Sequence, residues 1–225
     1  MKHTDRARDW RFPALLLALF LIAATLLGIA PRYRQDWLLE NAVVLVALPL
    51  LVHGWYRLRF SQGACLALFV FLLLHEVGAH YTYSEVPYDA VFSRLTGHSL
   101  DRLLGFPRNE FDRLVHFLYG LLVTPMAVEL LDRRAPPQGI WRWILPVTFI
   151  MSHSVIYELV EWLAAARFGG DLGVAYLGTQ GDPWDAQKDM ALAALGSVLA
   201  MTAIALRRAL VARRGRDCRA EHPAP

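Results

Sequence analysis

The chain has 225 residues, of which 56% are hydrophobic and only 19% are charged. A soluble domain usually carries about 25% charged residues, so this balance favours a membrane protein. The formal net charge is +3, and the basic residues cluster beside apolar segments, which argues against a nucleic-acid-binding role. Two cysteines, one in an apolar segment and one in a basic tail, provide no disulfide framework.

Six apolar segments are each long enough to cross about 30 Å of hydrocarbon as a helix. They cover approximately residues 13–30, 38–56, 63–80, 111–131, 141–163 and 186–206. A soluble protein of this size could bury one such helix but not several. The sequence therefore predicts an all-α integral membrane protein, a single bundle of about six transmembrane helices, with a basic cytoplasmic tail at residues 207–225.

The first segment follows several basic residues, as the core of a signal peptide would. Its apolar run is longer than a signal core, and Pro31 follows it, so we expect a retained first span.

Lys and Arg residues predict the orientation of the bundle. If the N-terminus is cytoplasmic, most of the 23 Lys and Arg residues fall in cytoplasmic segments, including 57–59, 133–142 and 207–219. The positive-inside rule therefore predicts that both termini are cytoplasmic. The two long connections, at about residues 81–110 and 164–185, then lie on the outer side, and long loops often carry function.

Ionisable side chains gather at the outer ends of the predicted helices. Three pairs are spaced by three or four residues, which places each pair on one helix face: Asp112 with His116, Glu158 with Glu161, and Asp185 with Asp189. His75 and His80 end the third segment, and Asp182 precedes the sixth. All these residues are expected at the same end of the bundle.

Several carboxylates near a membrane span need a physical reason, because a central Asp costs about 2.5–3.5 kcal/mol. Neighbouring carboxylates also repel unless protons or a cation hold them together. Imidazoles beside carboxylates favour Zn, Mn or Fe, whereas oxygen ligands alone favour Mg or Ca. The predicted ligands of a divalent metal ion are His75, His80, Asp112, His116, Glu158, Asp182, Asp185 and Asp189. The predicted catalytic residues are His116, Glu158 and Glu161.

Simpler interpretations of the same residues stay open. Asp182 and Asp185 are also typical caps of a helix N-terminus, and Asp112 with His116 fits an interfacial cap. Glu158 and Glu161 fit a solvated helix end.

Four stretches resemble the YjdF-like family of bacterial inner-membrane proteins. They are HEVGAHYTYSEVP at 75–87, DRLVHFLYG at 112–120, YELVEW at 157–162 and GTQGDPWDAQKDM at 178–190. The resemblance spans most of the chain and implies a multi-pass protein of the bacterial inner membrane. It implies no activity.

A fainter resemblance to VanZ-like proteins covers the second half of the chain. It implies work in the cell envelope. The matching residues are Asp112, His116-Phe117, Glu158 or Glu161, Asp185 or Asp189, and Gly196.

Three functions are compatible with these patterns. The leading one is an outward-facing metal site; if the protein is an enzyme, a metal-activated water would attack a lipid or cell-envelope substrate. The second is a small proton-coupled transporter that uses the same carboxylates, although transport usually needs polar groups near mid-depth. The third is a scaffold or assembly factor that docks a partner. Membrane lipids are the expected surroundings in every case.

Overall fold

The structure is a computed structural model that describes residues 10–168 and 177–221, with side chains to residue 213. Every regular element in these ranges is a helix. In chain order they are α1 Arg11–Leu27, α2 Arg34–Leu58, α3 Gln62–Tyr81, α4 Tyr88–Thr96, α5 Leu100–Leu104, α6 Phe111–Arg134, α7 Trp141–Phe168 and α8 Asp185–Glu221. The predicted all-α class is confirmed.

Five of these helices, α2, α3, α6, α7 and α8, are long and apolar enough to cross a membrane. The sixth, α1, has 17 residues and spans about 25 Å. Large apolar side chains in the middle of α2 are exposed, with Leu45 at 73% and Leu50 at 67%. Such a surface is stable when hydrocarbon surrounds it, so the helices form a multi-pass membrane bundle.

Several helix ends differ from the predicted spans by a few residues, and two of the differences have a clear cause. Helix α1 stops at Leu27, where the backbone N–H of Gly28 caps the carbonyl of Ala24, so residues 28–30 lie outside it. Helix α8 continues beyond the apolar segment to Glu221, because the basic residues after position 206 are good helix formers. Residues 222–225 of the predicted tail, residues 169–176 of the second outer connection, and the basic residues before position 10 lie outside the described residues.

The first outer connection is folded by its own polar contacts. The Tyr88 hydroxyl donates to Asp101 at 2.7 Å and accepts from the backbone N–H of Glu110 at 3.0 Å. Burial, with the carboxylate of Asp101 nearby, raises the pKa of Tyr88 to about 12. Asp89 accepts from the backbone N–H of Asp101, which lowers the pKa of this carboxyl. The short helices α4 and α5 are therefore fastened to each other and to the start of α6.

Helices α6 and α8 form the centre of the bundle and make its most extensive helix–helix contact. Helix α3 packs on α6, α7 packs on α8 and α6, and α1 and α2 both pack on α3. The loop between α1 and α2 is held to the end of α3, because the backbone N–H of Arg32 donates to the carbonyl of His80 at 2.9 Å. This end of the bundle is the one predicted to face outward and is called the outer end.

Two glycines allow α6 and α8 to approach closely. A β-carbon on Gly120 would overlap the backbone of Ala193, and one on Gly196 would overlap the backbone of Phe117. One turn farther inward, the Thr124 and Ser197 hydroxyls share a hydrogen bond of 2.8 Å, and both residues are fully buried. Small residues and buried hydroxyls of this kind are what hold helices together in a membrane.

We predict that Gly120→Ala destabilises the bundle by about 1–3 kcal/mol, because the added methyl group forces α6 and α8 apart. Thermal unfolding in detergent, followed by tryptophan fluorescence, measures the change. Gly63→Ala is the matched control, since a β-carbon there meets nothing within 4 Å. Equal midpoints for Gly120→Ala and wild type would show that the close crossing is not required.

Candidate functional site

The candidate site lies at the outer end of the α6–α8 contact. Along α6, Asp112, His116, Gly120 and Thr124 follow one another at four-residue steps and share one face. Along α8, the facing positions step in the same way: Asp185, Asp189, Ala193 and Ser197. Both faces carry small residues at the crossing and ionisable residues toward the outer end. The crossing therefore brings carboxylates of the two helices together.

Three side chains converge there on a common point. One ligand atom each of Asp112, His116 and Asp189 lies within 4.8 Å of the other two. His116 Nε2 is 3.6 Å from Asp112 Oδ1 and also 3.6 Å from Glu158 Oε1 of α7. The group therefore draws on three helices and offers one imidazole nitrogen and three carboxylates.

Two carboxylate oxygens in this group lack a hydrogen-bond partner although they are buried. They are Asp189 Oδ1 and Glu158 Oε1. Unsatisfied buried polar atoms are rare in native structures, and a carboxylate oxygen is an acceptor that a cation satisfies. A mixed set of one imidazole and several carboxylates fits Zn, Mn or Fe, so the residues present suit the predicted class of metal.

Further acids lie close to the group around His116. Glu161 is buried one turn along α7 from Glu158. Tyr157 donates from its hydroxyl to Glu40 Oε2 of α2 at 2.7 Å, and its ring meets the His116 ring edge-on at 5.8 Å. Tyr157 therefore links the candidate ligand His116 to a carboxylate of α2.

The sequence interpretation missed the acids of α2 and α3. Asp36, Glu40 and Glu76 are 2% exposed or less. A signal was available, because Asp36 and Glu40 are four residues apart and share one helix face. They lie at the start of an apolar segment, where acidic residues usually stabilise the helix N-terminus. Their position therefore did not indicate a functional role.

Two histidines predicted as ligands have other partners in the structure. His75 Nδ1 shares a hydrogen bond of 2.5 Å with the hydroxyl of Tyr83. His80 Nδ1 donates to the carbonyl of Leu27 at 2.7 Å, which ties α3 to the end of α1. Neither histidine is brought into the group around His116.

Asp182 and Asp185 form a separate layer of ion pairs outside that group. Arg113 contacts Asp182 at 2.5 Å and Asp185 at 3.2 Å, and Arg108 also pairs with Asp185. The Lys188 ammonium group, with help from the Trp184 backbone N–H, lowers the pKa of Asp182 to about 2. These two aspartates are thus neutralised by the protein itself.

Arg108 joins this layer from the connection that precedes α6. Arg108 also donates to the carbonyl of Thr179 at 2.5 Å, so it fastens the segment before α8 to the segment before α6. The sequence did not lead us to predict that Arg108 and Arg113 form ion pairs with these aspartates. Their position among the acids of the outer end was the available signal.

We predict that Arg113→Met destabilises the protein by about 3 kcal/mol, because Asp185, whose side chain is 4% exposed, loses one of its buried partners. Lys188→Met, which removes another cation from Asp182, should cost less than about 1 kcal/mol, since that lysine is 50% exposed. Parallel thermal unfolding in detergent compares the two variants. Equal losses would contradict the assigned roles.

Fold and site together define a multi-pass helical membrane protein with an acidic, histidine-containing cluster at the outer end of its bundle. The chain belongs to the family described as "Predicted membrane protein (DUF2238)", which matches residues 12–209. One relative is the inner membrane protein YjdF of Escherichia coli strain K12, 34% identical over 186 residues. The match covers 82% of this chain and 83% of the relative.

These comparisons confirm the YjdF-like resemblance and the bacterial inner membrane as the location. They give no support to the VanZ-like resemblance. No solved structure matches the chain.

Proposed function

We propose that this protein binds one divalent transition-metal ion between Asp112, His116 and Asp189 and acts as a metal-dependent enzyme of the cell envelope. One observation carries the proposal: ligand atoms from these three side chains lie within 4.8 Å of one another at the buried contact of two helices. Three protein ligands leave a coordination position open, as catalytic sites require.

The division of roles follows from the contacts. A bound divalent ion would polarise a substrate oxygen and make water a nucleophile at neutral pH. Glu158 stands beside the ligands, with its Oε1 3.6 Å from His116 Nε2 and without a hydrogen-bond partner. A carboxylate in that position is suited to accept a proton from the attacking water. Buried Glu161, one turn away, is placed to take part in the same proton transfer.

The class of substrate follows from the surface around Glu158. Large apolar residues flank it on α7, with Leu159 50% and Trp162 58% exposed. This surface faces hydrocarbon near the outer interface, where Trp rings prefer to lie. A substrate with a lipid anchor can therefore approach from within the bilayer, which favours a lipid or lipid-linked envelope component.

Proton-coupled transport is the second candidate. It is favoured by the buried carboxylates of α2 and α3 that the metal-binding group does not use, Asp36, Glu40 and Glu76. Buried carboxylates within membrane helices often mark proton relays. This function would need no metal.

We predict a near-stoichiometric metal ion in the detergent-purified protein. Asp112→Asn, His116→Gln and Asp189→Asn should each weaken binding by more than about tenfold, because loss of even an outer-shell partner costs about 10–100-fold. His80→Gln is the matched control and should retain the metal. Elemental analysis after dialysis measures the content. A wild-type protein without metal would contradict the metal site and favour proton-coupled transport.

The enzymatic part is tested separately with Glu158→Gln. This variant should keep its metal but lose turnover, since the ligands remain and the base is gone. Lipid extracts from cells that overproduce wild type, Glu158→Gln or His116→Gln are compared by mass spectrometry. We expect a lipid or lipid-linked species to change with wild type alone. Identical profiles in all three would reject the envelope-lipid enzyme and leave the metal site standing.

A further inference from the structure

An apolar cavity lies at the end of the bundle opposite the candidate metal site. Its volume is about 150 Å³, and its lining is almost entirely apolar. Residues of α1, α2 and α3 line it, for example Leu17, Leu48 and Leu68. Both α1 and α2 pack on α3, and the cavity fills the space between them.

One buried donor in this lining has no partner. The Trp55 ring lines the cavity, and its indole N–H is inaccessible to water and makes no hydrogen bond. Buried Trp N–H groups usually find an acceptor, and Trp near a membrane interface lies where lipid ester groups are found.

Positive charge stands at the same end. The Arg59 guanidinium lies over the Trp55 ring, 4.8 Å from its centroid. Arg59 has a φ of 56°, a left-handed conformation that favours glycine, so a side chain is held here against the backbone preference. Arg57 is exposed two residues earlier. Within the described residues neither arginine pairs with a carboxylate, whereas Arg133 nearby pairs with Glu129.

We propose that this cavity binds a segment of one acyl chain of an anionic glycerophospholipid from the cytoplasmic leaflet. The apolar lining takes this segment, Arg57 and Arg59 face the phosphate, and a turn of the Trp55 ring brings its indole N–H to an ester carbonyl. The two arginines, Trp55 and the apolar lining thus correspond in order to the phosphate, the ester group and the acyl chain of the lipid. The basic residues assign this end of the bundle to the cytoplasm, where anionic lipids attract Lys and Arg. This binding is independent of the proposed metal site.

Native mass spectrometry of the detergent-purified protein tests the headgroup. With phosphatidylglycerol and phosphatidylcholine added in competition, wild type should retain phosphatidylglycerol with a preference of about tenfold or more. Arg57→Gln with Arg59→Gln should abolish the preference. Arg134→Gln with Arg207→Gln removes the same charge elsewhere on the cytoplasmic side and should leave it unchanged. No preference in wild type, or an equal loss in both double variants, would overturn the proposal.

A thiol in the lining reports the acyl chain. Cys65 is partly buried in the cavity lining, and Cys218→Ser leaves it as the only cysteine. Phosphatidylglycerol should slow its reaction with a small apolar maleimide. Leu68→Trp, which fills the cavity and leaves both arginines in place, should remove the lipid from mass spectra. Labelling that is unaffected by lipid, together with full lipid binding by Leu68→Trp, would place the lipid elsewhere on the surface.

Discussion

The close crossing of α6 and α8 is the constraint on which the outer end of the bundle depends. Inside a membrane no hydrophobic effect drives helices together, so close backbone packing and buried hydrogen bonds must do so. Gly120 and Gly196 provide the packing, and Thr124 with Ser197 provides a buried hydrogen bond. Because both helices repeat their faces every four residues, contact at these positions fixes Asp112 and His116 against Asp189.

Two layers of carboxylates follow from this arrangement, and they differ in how their charge is balanced. In the outer layer, Asp182 and Asp185 are paired with Arg108 and Arg113. The inner layer of Asp112, Asp189 and Glu158 surrounds a single imidazole, and no arginine or lysine of the described residues contacts it within ion-pair distance. Protons or an added cation must balance the inner layer, and the convergence of its ligand atoms is the reason for proposing a metal ion.

The sequence predicted the class, the apolar segments and the pairs of residues that share a helix face, since these depend on composition and on the helical period. It could not predict which faces meet. That choice depends on the rotation of each helix, which small residues such as Gly120 decide. His75 and His80 form hydrogen bonds elsewhere and do not join the site. Asp185 pairs with Arg108, which lies in the connection that precedes α6. Asp36 and Glu40 are spaced to share one helix face, but they lie at the start of a helix, where acidic residues are common.

X-ray absorption at the metal edge of the zinc-loaded protein examines the proposed site itself, because it identifies the types of ligand around the ion. We expect one imidazole nitrogen, two or three oxygen ligands and no sulfur, at about 2.0–2.2 Å. The same spectrum is expected for His80→Gln. Two or more imidazoles, a sulfur ligand, or a spectrum of fully hydrated zinc would contradict a site built from Asp112, His116 and Asp189.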